Sequence, residues 1–517
     1  MRQLFIAAWI VAGAAMAADQ HLAIDGGVPD DEARYFEIPF TVPAGTQEIE
    51  VRHDDLSGSN ILDWGLEDPN GFRGWGGGNE EPAVVGVQSA SRSYLTGAIL
   101  PGEWKVVVGK AKIVSRPARF EVDIHLRESP TLPAQTRSPY TPSPPLENTA
   151  RWYAGDFHVH SEESGDARPP LDEIAIFSRA AGLDFVLLSD HNTTSTLDFI
   201  SDAQARHPQL LLIPGMEYTT YQGHANAIGS TVFADSRVGY QGRTLEQAVD
   251  AFHADGALFS INHPVLDLPV EMCIGCAWEQ PVPANIDAVE IATTGWQAMN
   301  VFFSEPTLAF WDSLSARGIH AKALGGSDDH RAGVDLNDTQ SAIGSPTTMV
   351  FAEELSVAGI LQGIRDGRTV VKLQGPDDPM VELEAPGRVG DTVIDDDVHL
   401  TATLTGAIGH TARFVRNGRP LGELRIDSDP FLLEHHAVPG DTADRYRVEV
   451  LVGGRARTIT SNLWVQKTAD AAPSLHELEA AESCACGGAP GALPVLAALT
   501  GLLLARRRTR MVGGPRD

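Results

Sequence analysis

Different patterns of apolar and polar positions follow one another along the chain. From 19 to 130 apolar residues alternate with polar ones, as in "ARYFEIPFTV", "TQEIEVRHD" and "EWKVVVGKAKI". A period of two, punctuated by Gly, Pro and Asn/Asp, predicts short strands packed as a β-sandwich. The proline-rich stretch 131–151 is poor in backbone donors and predicts an extended linker. Between 152 and 375 the runs "LDFVLLS", "QLLLIPG", "GALFSIN" and "HAKALGG" are apolar and too short for helices. They alternate with segments of helical period, "LDEIAIFSRAAG" and "TLEQAVDAFHADG", the second opened by a capping box of Thr244 and Gln247. Repeated apolar strand and amphipathic helix predicts a parallel sheet covered on both faces, most simply a barrel with its chemistry at the C-terminal strand ends. From 376 to 467 alternation returns, with "RNGR" as a hairpin turn, and predicts a second, Ig-like sandwich.

The two ends have other grammars. Residues 1–18 carry Arg2, an apolar stretch from Leu4 to Val11 and the small-x-small site Ala15-Met16-Ala17, which predicts a secretory signal peptide and an exported protein. A polar, alanine-rich spacer over 468–483 leads to 484–517, where Cys484 and Cys486 precede an apolar run from Ala489 to Ala505 and the cluster Arg506, Arg507 and Arg508. Such a run is at the short limit for crossing a bilayer, and Pro494 weakens it. Cysteine-glycine, apolar segment and arginines together resemble the MYXO-CTERM sorting tails. That resemblance implies attachment through Cys484 or Cys486 and residence at the cell surface, at the outer membrane or outside the cell. The chain runs on past the arginines as "TRMVGGPRD", a departure from that pattern.

Composition narrows the partners. With 517 residues the chain exceeds one ordinary core, so several domains are expected. A formal charge of −30 repels a polyanion and argues against nucleic acid. Of the four cysteines, two lie in the tail; Cys273 and Cys276 are read as a disulfide stapling a loop, with half of a zinc site as the alternative.

The candidate chemistry sits at the ends of the apolar runs. "DFHVH" ends in His158 and His160, "LLSDH" in Asp190 and His191, "IPGME" in Glu217, "SINHP" in His263 and "LGGSDDH" in Asp328 and His330, while His224 follows in "GHANAIG". Residues two apart on a strand face one way, so each His-x-His or Asp-x-His pair aims two donors at one point. Imidazole and carboxylate without thiolate suit Zn, Mn or Fe. Asp190 is expected to orient a ligating histidine, and Arg331 to meet an anionic group. Glu290, at another strand end, is expected to have no part in metal binding.

In order, "DFHVHSEESGDA", "LLSDHNT", "PGMEYTT", "GHANAIG", "INHP" and "GGSDDHRAG" resemble the motifs of the PHP family, the polymerase and histidinol phosphatase metal-dependent hydrolases, over about 152–375. "SGDA" and "GHANAIG" are similar to its exported, carbamate-hydrolase-like branch. The resemblance implies a distorted (β/α)7 barrel holding two or three divalent ions and hydrolysing phosphate esters. It implies one ion at His158, His160, Glu217 and Asp328, a second at Glu217, His224 and His263, and a third at His191, His330 and Asp166. Many relatives place a histidine near Asp166, so the third ion is where this chain departs. Glu217, Asp328 and Arg331 are the implied catalytic residues, acting on a small-molecule or exposed ester. The competing readings are a carboxyl or carbamate ester hydrolase of the same fold and a non-catalytic, metal-stabilised binding module.

Overall fold

The computed structural model describes residues 19–269, 272–293, 304–336 and 340–474. The expected signal peptide and sorting tail lie outside these residues, as does most of the spacer. Among the described residues no helix is long and apolar enough to cross a membrane.

Alternation in the first region produces two four-stranded sheets face to face. One has the order Gln20–Gly27, Arg119–Arg127, Glu48–Asp54, Ala83–Gly86; the other Tyr35–Val42, Gly102–Lys112, Ile61–Asp68, Gly71–Gly77. The apolar member of each alternating pair turns inward, so Ile49, Val51, Trp64, Trp104, Val122 and Ile124 fill the space between the sheets.

The central region departs from the expected barrel of parallel strands. Its strands fall into two sheets. The first has the order Leu211–Ile213, Phe185–Leu188, Arg151–Val159, Thr347–Ala352, Thr369–Lys372, with the first three parallel and the last two antiparallel. The second has the order Gly215–Thr220, Gly223–Ile228, Leu258–Ile261, Ala288–Ala292, Lys322–Gly325, antiparallel at first and parallel at the end. Only two residues, Tyr221 and Gln222, separate the first pair of that sheet, and so short a link forces antiparallel neighbours. Apolar runs report burial on both faces, not strand direction, and the periodicity carried no sign of this. The two sheets meet through isolated bridges, His191 to Glu217 between two ligand-type residues and Val159 to Asp329 between residues flanked by them. Helices Leu171–Ala180 and Leu245–Ala254 occupy the segments with helical period, and Thr244 and Gln247 close the capping box.

The C-terminal strands form a sandwich around Leu400, Phe414, Tyr446 and Val448. Asn417 and Gly418 both take left-handed backbone, with φ of 50° and 79°, in the turn that pairs Arg416 with Arg419. Arg455–Thr460 pairs with Thr369–Lys372, so one sheet runs through this unit and the central region. The linker is likewise held down. Ser138 N donates to Asp198 O at 2.8 Å, and Leu146 N to Leu355 O at 2.8 Å.

Candidate metal centre

Backbone contacts between strand ends bring the ligand-type residues together. Gly326 lets the loop after Lys322–Gly325 lie against Arg151–Val159, since a Cβ there would stand 2.3 Å from Cβ of His158. Asp328 N then donates to His158 O at 2.9 Å, and His160 N to Asp329 O at 3.0 Å. Asn192, His263 and Asp328 all have positive φ, at 47°, 27° and 57°, and such strain outside glycine concentrates at functional sites.

Glu217, fully buried, stands at the middle. Its Oε2 lies 3.3 Å from His158 Nε2, 3.5 Å from His160 Nε2 and 2.9 Å from His191 Nδ1. Its Oε1 lies 3.2 Å from His224 Nδ1 and 3.5 Å from His263 Nε2. Asp328 Oδ1 completes the Oε2 side, 3.3 Å from His158 Nε2 and 3.1 Å from His160 Nε2. Ligand atoms within 4.8 Å of one another thus form the sets His158, His160, Glu217 and Asp328; Glu217, His224 and His263; and His160, His191 and His330. Asp166, on the rim, places Oδ2 3.4 Å from His191 Nε2 and 3.3 Å from His330 Nε2. All nine ligand-type residues singled out in the sequence therefore surround one cavity or its floor.

Electrostatics suit a cation here. Burial opposes charge on Glu217, but His158, His191 and His224 override it and hold the carboxyl well below its usual range. Burial likewise opposes charge on His158, yet Glu217, Asp328 and Glu290 hold that imidazole well above its ordinary value, a measure of how strongly these carboxylates call for positive charge. Burial, with His330 and His191 adding to it, pushes His160 down to about 3, so its imidazole is neutral and can offer a lone pair. His158 Nε2 and Glu217 Oε2 are buried without a hydrogen-bond partner. A divalent cation held by these residues would satisfy both, so they fit the metal that the sequence motifs imply.

The outer nitrogens of the imidazoles are tied down by groups that the sequence reading missed. His158 Nδ1 lies 2.8 Å from Glu290 Oε2, so Glu290 does take part in the centre. His224 Nε2 lies 2.8 Å from Ile274 O, His263 Nδ1 3.1 Å from Cys276 O, and His330 Nδ1 3.0 Å from Asp328 O. Asn262 Nδ2 donates to Glu217 Oε1 at 2.9 Å. Such partners fix the ring orientation and tautomer of a metal ligand. Glu290 ends a strand as the other carboxylates do, and that position was its one visible sign; backbone carbonyls have none. Asp190, expected to orient a histidine, instead accepts from Ser161 N at 2.6 Å and Ser161 Oγ at 2.7 Å, fixing the loop after His160. Arg331 is exposed at the cavity mouth, its Nη1 donating to Asp335 O at 3.2 Å.

Two of those carbonyls belong to the loop closed by the Cys273–Cys276 disulfide. Replacing both cysteines by serine frees the loop and loosens His224 and His263 together. Affinity for a divalent ion held by His224, His263 and Glu217 is expected to fall by about 10 to 100-fold, with the His158, His160 and Asp328 set little changed. Competition with a chelator, followed by metal analysis, reads this as one ion lost early; unaltered release of every ion would count against it.

The cavity has a volume of about 710 Å³. Its floor is the ligand cluster, and Tyr35, Asp63 and Trp75 of the N-terminal sandwich form the facing wall. In class, then, this is a multidomain, strand-rich protein whose buried imidazoles and carboxylates form a candidate divalent-metal site beside the N-terminal sandwich.

Searches of family models and of curated proteins find no match to the chain. Among solved structures it is similar to a two-domain protein from Bacteroides vulgatus containing a predicted PHP-like metal-dependent phosphoesterase: 19% identity, 64% of this chain and 100% of that one, TM-score 0.35. It is also similar to an amidohydrolase from Chromobacterium violaceum with bound sulfate and no metal: 16% identity, 36% of this chain and 91% of that one, TM-score 0.24.

Proposed function

We propose that the protein is an exported, metal-dependent phosphoesterase of the PHP type, attached to the cell surface by its C-terminal tail. The observation that carries the catalytic part is Glu217, one buried carboxylate presenting Oε2 to one donor set and Oε1 to another. When bound, two or three divalent ions would supply Lewis acidity and water of lowered pKa for hydrolysis. The chain does the rest. Glu217 and Asp328 hold negative charge among imidazoles and keep the donor sets close. Glu290, Ile274 O and Cys276 O point the rings of His158, His224 and His263 inward. Arg331 at the mouth is placed to pair with the anionic group of an entering ester, and the N-terminal wall limits water above the floor.

The test is metal analysis of the purified protein followed by assay on phosphate, carboxyl and carbamate esters. Two or more equivalents of Zn, Mn or Fe and turnover of phosphate monoesters are expected, both lost on chelation and restored by metal. Turnover confined to carboxyl or carbamate esters would replace the phosphoesterase reading, and full metal content with no turnover would favour a binding module.

A further inference from the structure

The wall facing the ligand cluster holds a carboxylate whose bonding is incomplete. Asp63, in strand Ile61–Asp68, is 5% exposed. Its Oδ2 accepts from Tyr221 Oη at 2.6 Å, while Oδ1 has no hydrogen-bond partner. Asp63 lines the same cavity as the ligand cluster. Gly78 stands beside this buried oxygen, where a Cβ would lie 3.3 Å from Oδ1. Tyr35 stacks on Tyr221 with centroids 5.3 Å apart, and Trp75 meets Tyr35 at 6.4 Å, so aromatic rings flank the carboxylate. Burial pushes the Asp63 carboxyl up to about 6 against the opposing bond from Tyr221, a sign that one donor does not offset its desolvation.

Resting on the phosphoesterase reading, we propose that Asp63 binds a hydroxyl on the alcohol half of the substrate, so that the preferred substrates are phosphate monoesters of polyols or sugars. A buried carboxylate oxygen without a donor is costly, and a substrate O–H removes that cost by a charge-assisted bond. The C–H faces of a polyol or sugar pack on the partly exposed Trp75 while the phosphate reaches the cavity floor. An ammonium group could donate to the same oxygen, and the ethanolamine arm of the test below separates it from a hydroxyl. The cavity, at about 710 Å³, has room for more than a phosphate.

Binding separates this inference from turnover. The metal-loaded protein is titrated calorimetrically with inorganic phosphate and with phosphonate analogues of glycerol phosphate, glucose 6-phosphate and ethanolamine phosphate. The two hydroxylated analogues are expected to bind about ten-fold or more tighter than inorganic phosphate. Asp63→Ala should abolish that advantage, with metal content and affinity for inorganic phosphate kept. Asp63→Asn keeps an acceptor for Tyr221 Oη, guards against a folding defect, and should lose part of the advantage. The inference is overturned if hydroxylated analogues bind no tighter than phosphate, if the advantage survives Asp63→Ala, or if ethanolamine phosphonate gains most. An advantage lost with Asp63, in a protein that hydrolyses no phosphate ester, would sustain the role of Asp63 and sink the phosphoesterase reading alone.

Discussion

Glu217→Gln is expected to lower phosphate ester hydrolysis by about two orders of magnitude or more, a few kcal/mol in the barrier, before it unfolds anything. The side chain keeps its shape, and an amide oxygen can still accept from Asn262 Nδ2, now at 2.9 Å from Oε1. What disappears is the negative charge between two donor sets. The amide nitrogen offers no lone pair to a cation, so the Oε2 set of His158, His160 and Asp328 or the Oε1 set of His224 and His263 loses its carboxylate. One ion should leave or loosen, and Mn or Zn content measured on the purified variant should fall by about one equivalent. Glu290→Gln is the comparison. Because Glu290 Oε2 lies 2.8 Å from His158 Nδ1, it weakens one ring's support, with an expected loss of about 10 to 100-fold in affinity and a smaller loss in rate. Full metal and full rate in Glu217→Gln would dismiss the bridging role. An effect of Glu290→Gln as large as that of Glu217→Gln would show that positioning, not shared charge, sets the rate.

The ligand residues were legible because their chemistry is concentrated and their period is short. His158 and His160 report a shared direction from spacing alone, at the end of an apolar run; Asp328 and His330 do not, for they lie in the loop past Lys322–Gly325, where Asp328 has φ of 57°. The sandwiches were legible for a related reason: alternation such as that in "TQEIEVRHD" has one physical solution when one face is buried. Strand direction was not legible, because a strand buried on both faces is apolar whichever way it runs; the Tyr221–Gln222 turn decides it. Nor was the use of Asp190, since a carboxylate beside a histidine in sequence can bond elsewhere, here to Ser161. The contribution of Asp63 to the cavity was beyond the sequence for another reason. It lies 154 positions before Glu217, by subtraction of their numbers, and only the packing of two domains brings both to one cavity.

That packing continues at the far side of the central region, where the second sandwich is joined by charge as well as by a shared sheet. Asp312, on helix Ser304–Ala316, is 6% exposed and accepts from Arg447 Nη1 at 2.7 Å. Arg447 is 4% exposed, bonds Glu449 through Nε at 2.9 Å, and lies over the Trp311 ring at 5.4 Å. Such a buried pair adds little over an apolar contact while whole, but removing one partner strands the other charge. Asp312→Ala should therefore destabilise the protein by about 3 kcal/mol, and up to about 5 kcal/mol if Glu449, which Arg413 also holds, cannot compensate. Asp312→Asn keeps an acceptor for Arg447 and should cost less than half as much. Urea unfolding followed by far-ultraviolet circular dichroism reads both values. Since Thr369–Lys372 pairs with Arg455–Thr460, the central region and the second sandwich should lose structure in one transition in the parent protein. In Asp312→Ala the weakened contact should let the sandwich melt first. A change under about 0.5 kcal/mol for Asp312→Ala, the usual range for surface substitutions, would show that the Arg447 guanidinium is satisfied without Asp312 and that the shared sheet alone holds the two regions together.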